Sequence, residues 1–163
     1  PKFIHDIQMD MIRALARAHN SKEFIEKISQ AIDVLRDSAK RLVEGKVPIE
    51  DLVIEKRLSF GPAEYAHDVL QAIAARQLVK EGVEIAAGQS VQYIIVDSEN
   101  KHPFRRVKAA QLLYKQVHYD TEKYLELLLA SVANILGQFC CTTNDLYDII
   151  FHGQKQGPLL SNN

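Results

Sequence analysis

Residues 52–62 read LVIEKRLSFGP, and this segment indicates a mixed α and β fold because it holds a strand, a turn and the approach to a helix. Its first seven residues are a strand candidate, since an apolar start leads into a short run bounded by turn residues. The SFGP that follows predicts a turn, with Pro62 or Ala63 in the first turn of a helix. That helix is predicted to run to about Lys80 and to end at Gly82.

Two helices are predicted before this stretch. Apolar residues recur at steps of three and four from Ile4 to Ala18, which indicates one buried helix face. The pattern breaks at residues 19–21, where Asn20 and, three residues later, Glu23 form a capping pattern for a second helix. The second helix is about 23 residues long, ends at Gly45 and carries charges on its outer face. We therefore expect an antiparallel helix pair with a solvated charged side.

The chain after the central helix continues with a second strand and further helices. Residues 90–96 are rich in β-branched and aromatic side chains, which favour strands. A short helix is expected over residues 109–114, and Asp120 caps a last major helix that ends at Gly137. Asn144 caps a final helical piece over residues 145–151. The class is α+β and mostly helical, with long antiparallel helices and a small inserted β-sheet subdomain.

These elements divide residues 1–152 into three parts, followed by a tail. We expect a helical pair in residues 1–47, a mixed α/β part in residues 48–118 and closing helices in residues 119–152. Residues 153–163 are polar and contain glycine, which is typical of a flexible C-terminal tail.

Composition excludes several classes of protein. The 163 residues carry a net charge of −1, with 20 basic and 21 acidic side chains, so charge alone does not make this a nucleic-acid-binding particle. No apolar run approaches the roughly 18 residues of a membrane helix. Cys140 and Cys141 are adjacent, which fits a reducing compartment better than a disulfide framework. Because the chain starts at Pro1 without methionine, we expect a piece of something longer.

Candidate catalytic groups are sparse. Asp6 and Asp10 lie one helical turn apart, but such pairs are usually solvated. The histidines are scattered without the spacing of a zinc site. Cys140 or Cys141 follows an apolar helix, where cysteine is more often a small core residue than a nucleophile. The sequence therefore predicts no self-contained active site, no bound metal and no catalytic residue.

Two basic segments suggest binding to an anion instead. The first places Lys56 and Arg57 at the end of a strand, followed by Ser59, Tyr65 and His67 at a predicted helix N-terminus, which favours phosphates. The second cluster lies beside an aromatic residue, Phe104, and consists of Lys101, Arg105, Arg106 and Lys108. Each cluster alone is more often a solvated surface. Together, in an otherwise neutral chain, they predict contact with nucleic acid.

A collinear series of short matches resembles the thumb region of family B DNA polymerases, especially the archaeal ones. The matching residues are PIEDLVI at 48–54, Tyr65, Leu78, GVEI at 82–85, Gly88, VQYIIV at 91–96, Tyr119, Asp120, Tyr124 and LASVANIL at 129–136. The resemblance covers residues 3–151. It rests on order and spacing rather than on one diagnostic motif.

This resemblance implies a thumb that grips the primer–template duplex through sequence-independent phosphate contacts. Catalysis, and the Mg²⁺ that supports nucleotidyl transfer, would belong to a palm whose carboxylate signature does not occur here, so the chain alone is expected to be inactive. The implied partners are double-stranded DNA and the polymerase's palm and fingers. The implied location is cytoplasmic and nucleoid-associated, without a membrane. The DNA-binding residues carried over by position are Lys56, Arg57, Ser59, Tyr65 and His67, with Gln71 at the position of a family histidine. The second basic cluster adds Lys101, Arg105 and Arg106 as expected DNA contacts.

Three departures from the family pattern bear on that grip. Many relatives have Pro-His-Val where this chain has Leu70-Gln71-Ala72, so Gln71 replaces a histidine that is a potential phosphate donor. A proline of the closing helix is replaced near Ala130. Residues 154–163 lack a glutamine followed by paired aromatics, so the tail does not support binding to a sliding clamp.

Two alternatives stay open beside the working thumb. The chain could be the thumb of a divergent or inactive polymerase homologue with weak DNA binding, which the replacement at Gln71 and the balanced charge favour. It could also be a helical protein-interaction module, which an exposed apolar patch without a positive stripe would indicate.

Overall fold

The computed structural model describes residues 1–114, 118–137 and 143–152. Contacts group the chain into two compact units. The first comprises Pro1–Lys2 and Val47–Lys123, with residues 115–117 outside the description. The second comprises Phe3–Lys46 and the described residues from Tyr124 onward. Each unit therefore contains segments that are distant in sequence.

The helices and strands follow one another in an α+β order that is mostly helical. They are α1 Lys2–Ala16, α2 Ser21–Val43, β1 Ile54–Arg57, α3 Leu70–Lys80, β2 Ser90–Ile95, β3 Val107–Ala109, α4 Thr121–Leu136 and α5 Thr143–His152. Short 3-10 turns lie at Ile49–Leu52, Pro103–Arg105 and Ala110–Leu112. The predicted fold class is confirmed.

Both ends of α2 have the predicted signals. Asn20 Oδ1 accepts a hydrogen bond of 2.9 Å from Glu23 N, and Glu23 Oε2 accepts one of 2.8 Å from His19 N. This reciprocal arrangement satisfies backbone donors at the helix start. At the other end Gly45 has φ +70°, a left-handed conformation that glycine adopts without steric cost.

The second unit buries one side of its helices. Its fully buried large side chains come from α1, α2 and α4, and include Met11, Ile28, Leu35, Leu42, Tyr124 and Leu128. Gln8 Nε2 donates to Ser131 O at 3.3 Å and joins α1 to α4. Arg36 Nε donates to Ile150 O at 3.3 Å and joins α2 to α5. Hydrogen bonds from side chains to backbone carbonyls therefore connect these helices, in addition to their apolar contacts.

The first unit contains a three-stranded antiparallel sheet in the described part of the chain, in the order β1-β2-β3. Ile54 lies opposite Tyr93, and Tyr93 lies opposite Ala109. All three are buried, so they form a continuous row on one face of the sheet. Helix α3 packs against β2 and β3.

Strand β3 is an element that the sequence analysis did not predict. Its outer edge is bound by Gln77 of α3, a residue with 9% exposure. Gln77 Nε2 donates to Val107 O at 2.8 Å, and Gln77 Oε1 accepts from Ala109 N at 2.8 Å. The amide therefore replaces the next strand and satisfies buried backbone groups at the sheet edge.

Three predicted boundaries require correction. Helix α3 begins at Leu70, not at Pro62 or Ala63. The predicted helix over residues 109–114 is the end of β3 and a single 3-10 turn, Ala110–Leu112. Asn144 lies inside α5, which begins at Thr143, so it does not precede the helix as predicted. The predictions on Cys140, Cys141 and the tail 153–163 lie outside the described residues.

Asp120 does cap α4 as predicted. Its Oδ1 accepts from Lys123 N at 2.9 Å, and its Oδ2 accepts from Ser98 N and Ser98 Oγ at 2.8 and 2.7 Å. Burial by itself raises the pKa of Asp120, but these hydrogen bonds outweigh it and hold the pKa below its ordinary value. The cap of α4 is therefore an ionised carboxylate.

Among the described helices, none is long and apolar enough to cross a membrane.

Candidate nucleic-acid interface

Lys56 and Arg57 are neighbours on the edge strand β1, but they lie on opposite faces of the sheet. Successive residues of a strand alternate between faces, and the register pairs Lys56 with buried Val91 and Arg57 with exposed Ser90. Both cations are exposed. The two positive charges that the sequence analysis treated as one cluster thus extend from the sheet edge in different directions.

Arg57 is also held in place by the backbone. Its Nε donates to Gly88 O at 2.8 Å. Gly88 has φ +85°, so the turn before β2 takes a conformation that other residues rarely adopt. The remaining guanidinium donors of Arg57 lie on an exposed side chain and are available to a phosphate.

The segment between β1 and α3, residues 59–69, is here called the pre-helix segment. It forms turns and bends rather than the predicted first turns of a helix. Side chains bind its backbone: Ser59 N donates to Tyr65 Oη at 2.8 Å, and Gly61 N donates to Glu64 Oε2 at 2.7 Å. These bonds from side chains to the backbone stabilise the turns of the segment that precedes α3, which begins at Leu70.

Arg76 of α3 binds the same segment from the other side. Its Nε donates to Pro62 O at 2.9 Å and its Nη2 donates to Tyr65 O at 3.2 Å. Its Nη1 forms an ion pair with Asp68 Oδ1 at 2.6 Å. The sequence analysis missed Arg76, because two of its partners are backbone carbonyls, which carry no sequence signal.

The residues predicted on this segment have different environments. Ser59 and His67 are exposed, and Tyr65 is half-buried with its ring edge-on to Phe60 at 5.5 Å between centroids. Phe60 is 56% exposed. Gln71 is half-buried in the first turn of α3. The structure joins Ser59 directly to Tyr65, and it places Ser59, Tyr65 and His67 before the helix rather than at its N-terminus.

Most of the second basic cluster lies on the connection between β2 and β3, and Lys108 lies on β3 itself, where it is half-buried. Lys101 and Arg105 are exposed, whereas Arg106 is half-buried and its Nε donates to Asn100 O at 2.7 Å. Arg106 therefore shapes the connection, while Lys101 and Arg105 present their charges to solvent.

This connection is anchored to α3 at Phe104. Gln77 Nε2 donates to Phe104 O at 3.0 Å, and Lys80 Nζ lies 6.0 Å from the centre of the Phe104 ring. A cation at this distance from an aromatic face is weakly attracted to it. The connection that carries Lys101 and Arg105 is thus attached to helix α3 of the first unit through Phe104.

Acidic and histidine side chains are dispersed in the described ranges, which bring together no group of three or more metal-ligating residues. Asp10 forms an exposed ion pair with Arg13 at 3.7 Å. Burial raises the pKa of Tyr93 to about 12, so this core tyrosine stays neutral. The described part of the first unit presents exposed cations, among them Lys56, Arg57, Lys101 and Arg105.

Comparisons with known proteins place this arrangement in a family. The profile of DNA polymerase family B matches residues 1–139. The DNA polymerase of Thermococcus aggregans is 25% identical over 122 residues, which are 74% of this chain and 7% of that protein. The DNA polymerase of Thermococcus sp. strain 9oN-7 is 26% identical over 120 residues, 73% of this chain and 16% of that protein.

A solved structure supports the same fold. The family B DNA polymerase of the hyperthermophilic archaeon Pyrobaculum calidifontis matches with a TM-score of 0.70 and 20% identity, over 86% of this chain and 18% of that one. The chain belongs to DNA polymerase family B, and the family resemblance inferred from the sequence is confirmed. It spans only 7% to 18% of the length of these proteins.

Proposed function

We propose that residues 1–152 are the thumb of a DNA-directed DNA polymerase and that they hold the primer–template duplex by sequence-independent phosphate contacts. The observation that carries the proposal is the family match over residues 1–139, which includes both basic segments. The archaeal character of the relatives named above suggests an archaeal-like polymerase.

Exposed cations on a nearly neutral chain support this function. The net charge is −1, so attraction for DNA has to be local. Lys56 and Arg57 extend from the sheet edge, and Lys101 and Arg105 extend from the β2–β3 connection. Contacts between such side chains and phosphates position a protein on DNA without reading its sequence, as replication of any template requires.

Catalysis belongs, in this proposal, to a palm outside these residues. Family B chemistry transfers nucleotides with divalent metal ions, Mg²⁺ above all, which clamp the attacking and leaving oxygens. The described residues of this chain do not assemble the carboxylates that would hold such ions. The partners proposed for this chain are duplex DNA and the palm and fingers of the same polymerase, near the nucleoid.

A divergent thumb with weak DNA binding is the second candidate, and Gln71 favours it. The side chain is half-buried in the first turn of α3, at the position where the family resemblance implies a histidine. A neutral amide binds phosphate more weakly than a charged donor does. A weak grip would be seen as low affinity that still falls with salt.

The distribution of exposed apolar residues argues against an interaction module on α2. In the described chain, the large exposed apolar residues of α2 are Ile25, Val34 and Val43. Nine residues turn an α-helix by about two and a half turns, so Val34 lies on the side opposite to the other two. Ile25 and Val43 share a side but are about 27 Å apart along the axis. These residues are single exposures rather than one docking patch.

Alanine substitution of the sheet-edge cations tests the function. Lys56→Ala and Arg57→Ala are each expected to weaken duplex binding equally on unrelated sequences and to reduce the slope of log affinity against log salt by about one. Fluorescence anisotropy of labelled duplexes measures both. Lys22→Ala is the matched control, since Lys22 is an exposed lysine of α2 in the other unit. A loss confined to one DNA sequence, or an equal loss in the control, would refute the assignment.

A further inference from the structure

Arg76 ties the pre-helix segment to α3 at three points. Each of its side-chain nitrogens has a protein acceptor: Nε has Pro62 O, Nη2 has Tyr65 O and Nη1 has Asp68 Oδ1. The Arg76 side chain is 27% exposed and that of Asp68 is 45% exposed. The guanidinium is therefore committed to the segment, and it is a poorer candidate for a phosphate contact than the exposed cations of β1.

The bonds of Arg76 continue to Ser59 at the other end of the segment. Arg76 fixes the backbone of Tyr65 through its carbonyl, and Tyr65 Oη in turn accepts from Ser59 N at 2.8 Å. The Tyr65 ring also packs edge-on against Phe60. One residue of α3 thus binds three points of a segment that carries three proposed DNA contacts, Ser59, Tyr65 and His67.

We propose that Arg76 is a positioning residue, which holds the pre-helix segment in the conformation that contacts the duplex. The inference rests on the proposed function. The planar guanidinium donates along several fixed directions at once, and a lysine ammonium cannot reproduce that geometry although it carries the same charge. Arg76 acts through shape, so preserving its charge does not preserve its role.

Arg76→Lys separates shape from charge. Without the three hydrogen bonds of Arg76, the pre-helix segment populates several conformations. The apparent affinity for the duplex then falls in proportion to the fraction of molecules whose segment has the binding conformation. We expect duplex affinity to fall about three- to tenfold, as a competent fraction of about a tenth to a third requires. Amide exchange at Ser59 N is expected to accelerate, because its acceptor Tyr65 Oη is no longer held.

Arg36→Lys is the matched control. Arg36 also binds a backbone carbonyl, Ile150 O, and an aspartate, Asp33, but it lies on α2 in the other unit. Its replacement is expected to leave duplex affinity unchanged. Both variants are compared below the temperature at which either unfolds, so that loss of folded protein does not enter the affinity.

A double-mutant cycle with His67→Ala measures the coupling between Arg76 and His67 in duplex affinity, which general destabilisation of the fold does not change. If Arg76 acts through the segment, Arg76→Lys costs less affinity in the His67→Ala background than in the wild type. Equal cost in both backgrounds would overturn the proposal, as would wild-type affinity in Arg76→Lys. Both results refute the positioning role while the proposed function stands, whereas a wild-type chain that binds no duplex refutes the function and the DNA role of Arg76 together.

Discussion

Replacing Gln77 with leucine is expected to destabilise the first unit, which contains the sheet, strongly. The residue is 9% exposed, and its amide binds Val107 O, Phe104 O and Ala109 N at 2.8, 3.0 and 2.8 Å. Leucine has nearly the same size but no polar atom. The substitution therefore removes the hydrogen bonds while it leaves the packing of α3 largely intact.

The cost follows from the burial of the groups that lose a partner. Val107 is 1% exposed and Ala109 is 0% exposed, so water does not reach Val107 O and Ala109 N without movement of the strand. Leaving a buried polar group unpaired costs about 1–3 kcal/mol. Phe104 is exposed, and its carbonyl can turn to water. Two unpaired groups together give a loss of about 2–6 kcal/mol in the free energy of unfolding.

Urea denaturation measures this loss, and amide exchange at Ala109 localises it. Gln92→Leu is the matched control, because Gln92 is an exposed glutamine of β2 whose Nε2 donates to Glu55 Oε2 at 3.0 Å. An exposed substitution of this kind changes stability by no more than about 0.5 kcal/mol. The reasoning is refuted if Gln77→Leu is as stable as Gln92→Leu, or if exchange at Ala109 is unchanged.

Two further predictions concern the second basic cluster and the cap of α4. Arg105→Ala and Arg106→Ala are both expected to weaken duplex binding, but only Arg106→Ala should also lower stability, by about 1 kcal/mol, since Arg106 Nε binds Asn100 O. Anisotropy and thermal unfolding distinguish the two. Because the pKa of Asp120 is lowered on folding, its carboxylate stabilises the fold fully above the ordinary value of 3.8, and that contribution is lost as pH falls through the lowered value. Asp120→Asn should therefore reduce the loss of stability between neutral and acid pH, measured by urea denaturation.

Opposite results would contradict these two predictions. Equal stability of the Arg105 and Arg106 variants would show that the bond to Asn100 does not stabilise the β2–β3 connection. An unchanged dependence of stability on pH in Asp120→Asn would show that the bonds from Ser98 and Lys123 are not linked to folding.

Local signals made much of the fold predictable. Asn20 marks the start of α2 and Gly45 marks its end, because a capping side-chain amide and a positive φ are properties of those residue types. Strand β2 was predicted by its β-branched and aromatic residues, and β1 by an apolar start that leads into a short run bounded by turn residues. The helical periodicity of α1 and α4 follows from which positions are buried.

The errors arose where partners distant in sequence decide local structure. The segment before α3 is bound by Arg76 Nε, which donates to Pro62 O, and by Tyr65 Oη, which accepts from Ser59 N. Strand β3 is only three residues long, and its outer edge depends on the Gln77 side chain. Neither contact can be read from composition or spacing.

The candidate site was predictable only as a set of residue types. Adjacent basic residues suggested a single patch, but the pleat of β1 places Lys56 and Arg57 on opposite faces. Arg105 and Arg106 are likewise adjacent, yet one is exposed and the other is bound to Asn100 O. Sequence indicates the charges, and the backbone determines which of them reach solvent.

Fluorescence anisotropy of a labelled primer–template with the wild-type chain tests whether this chain holds duplex DNA through phosphate contacts. The titration is made at about 20 mM and about 150 mM salt, with the matching single strand as competitor, since neutralising a few phosphates makes affinity fall several-fold or more over that range. A thumb that holds DNA through phosphate contacts is expected to bind the duplex in preference to the single strand, with an affinity that falls as salt rises. No binding at low salt, or affinity that does not change with salt, would contradict it.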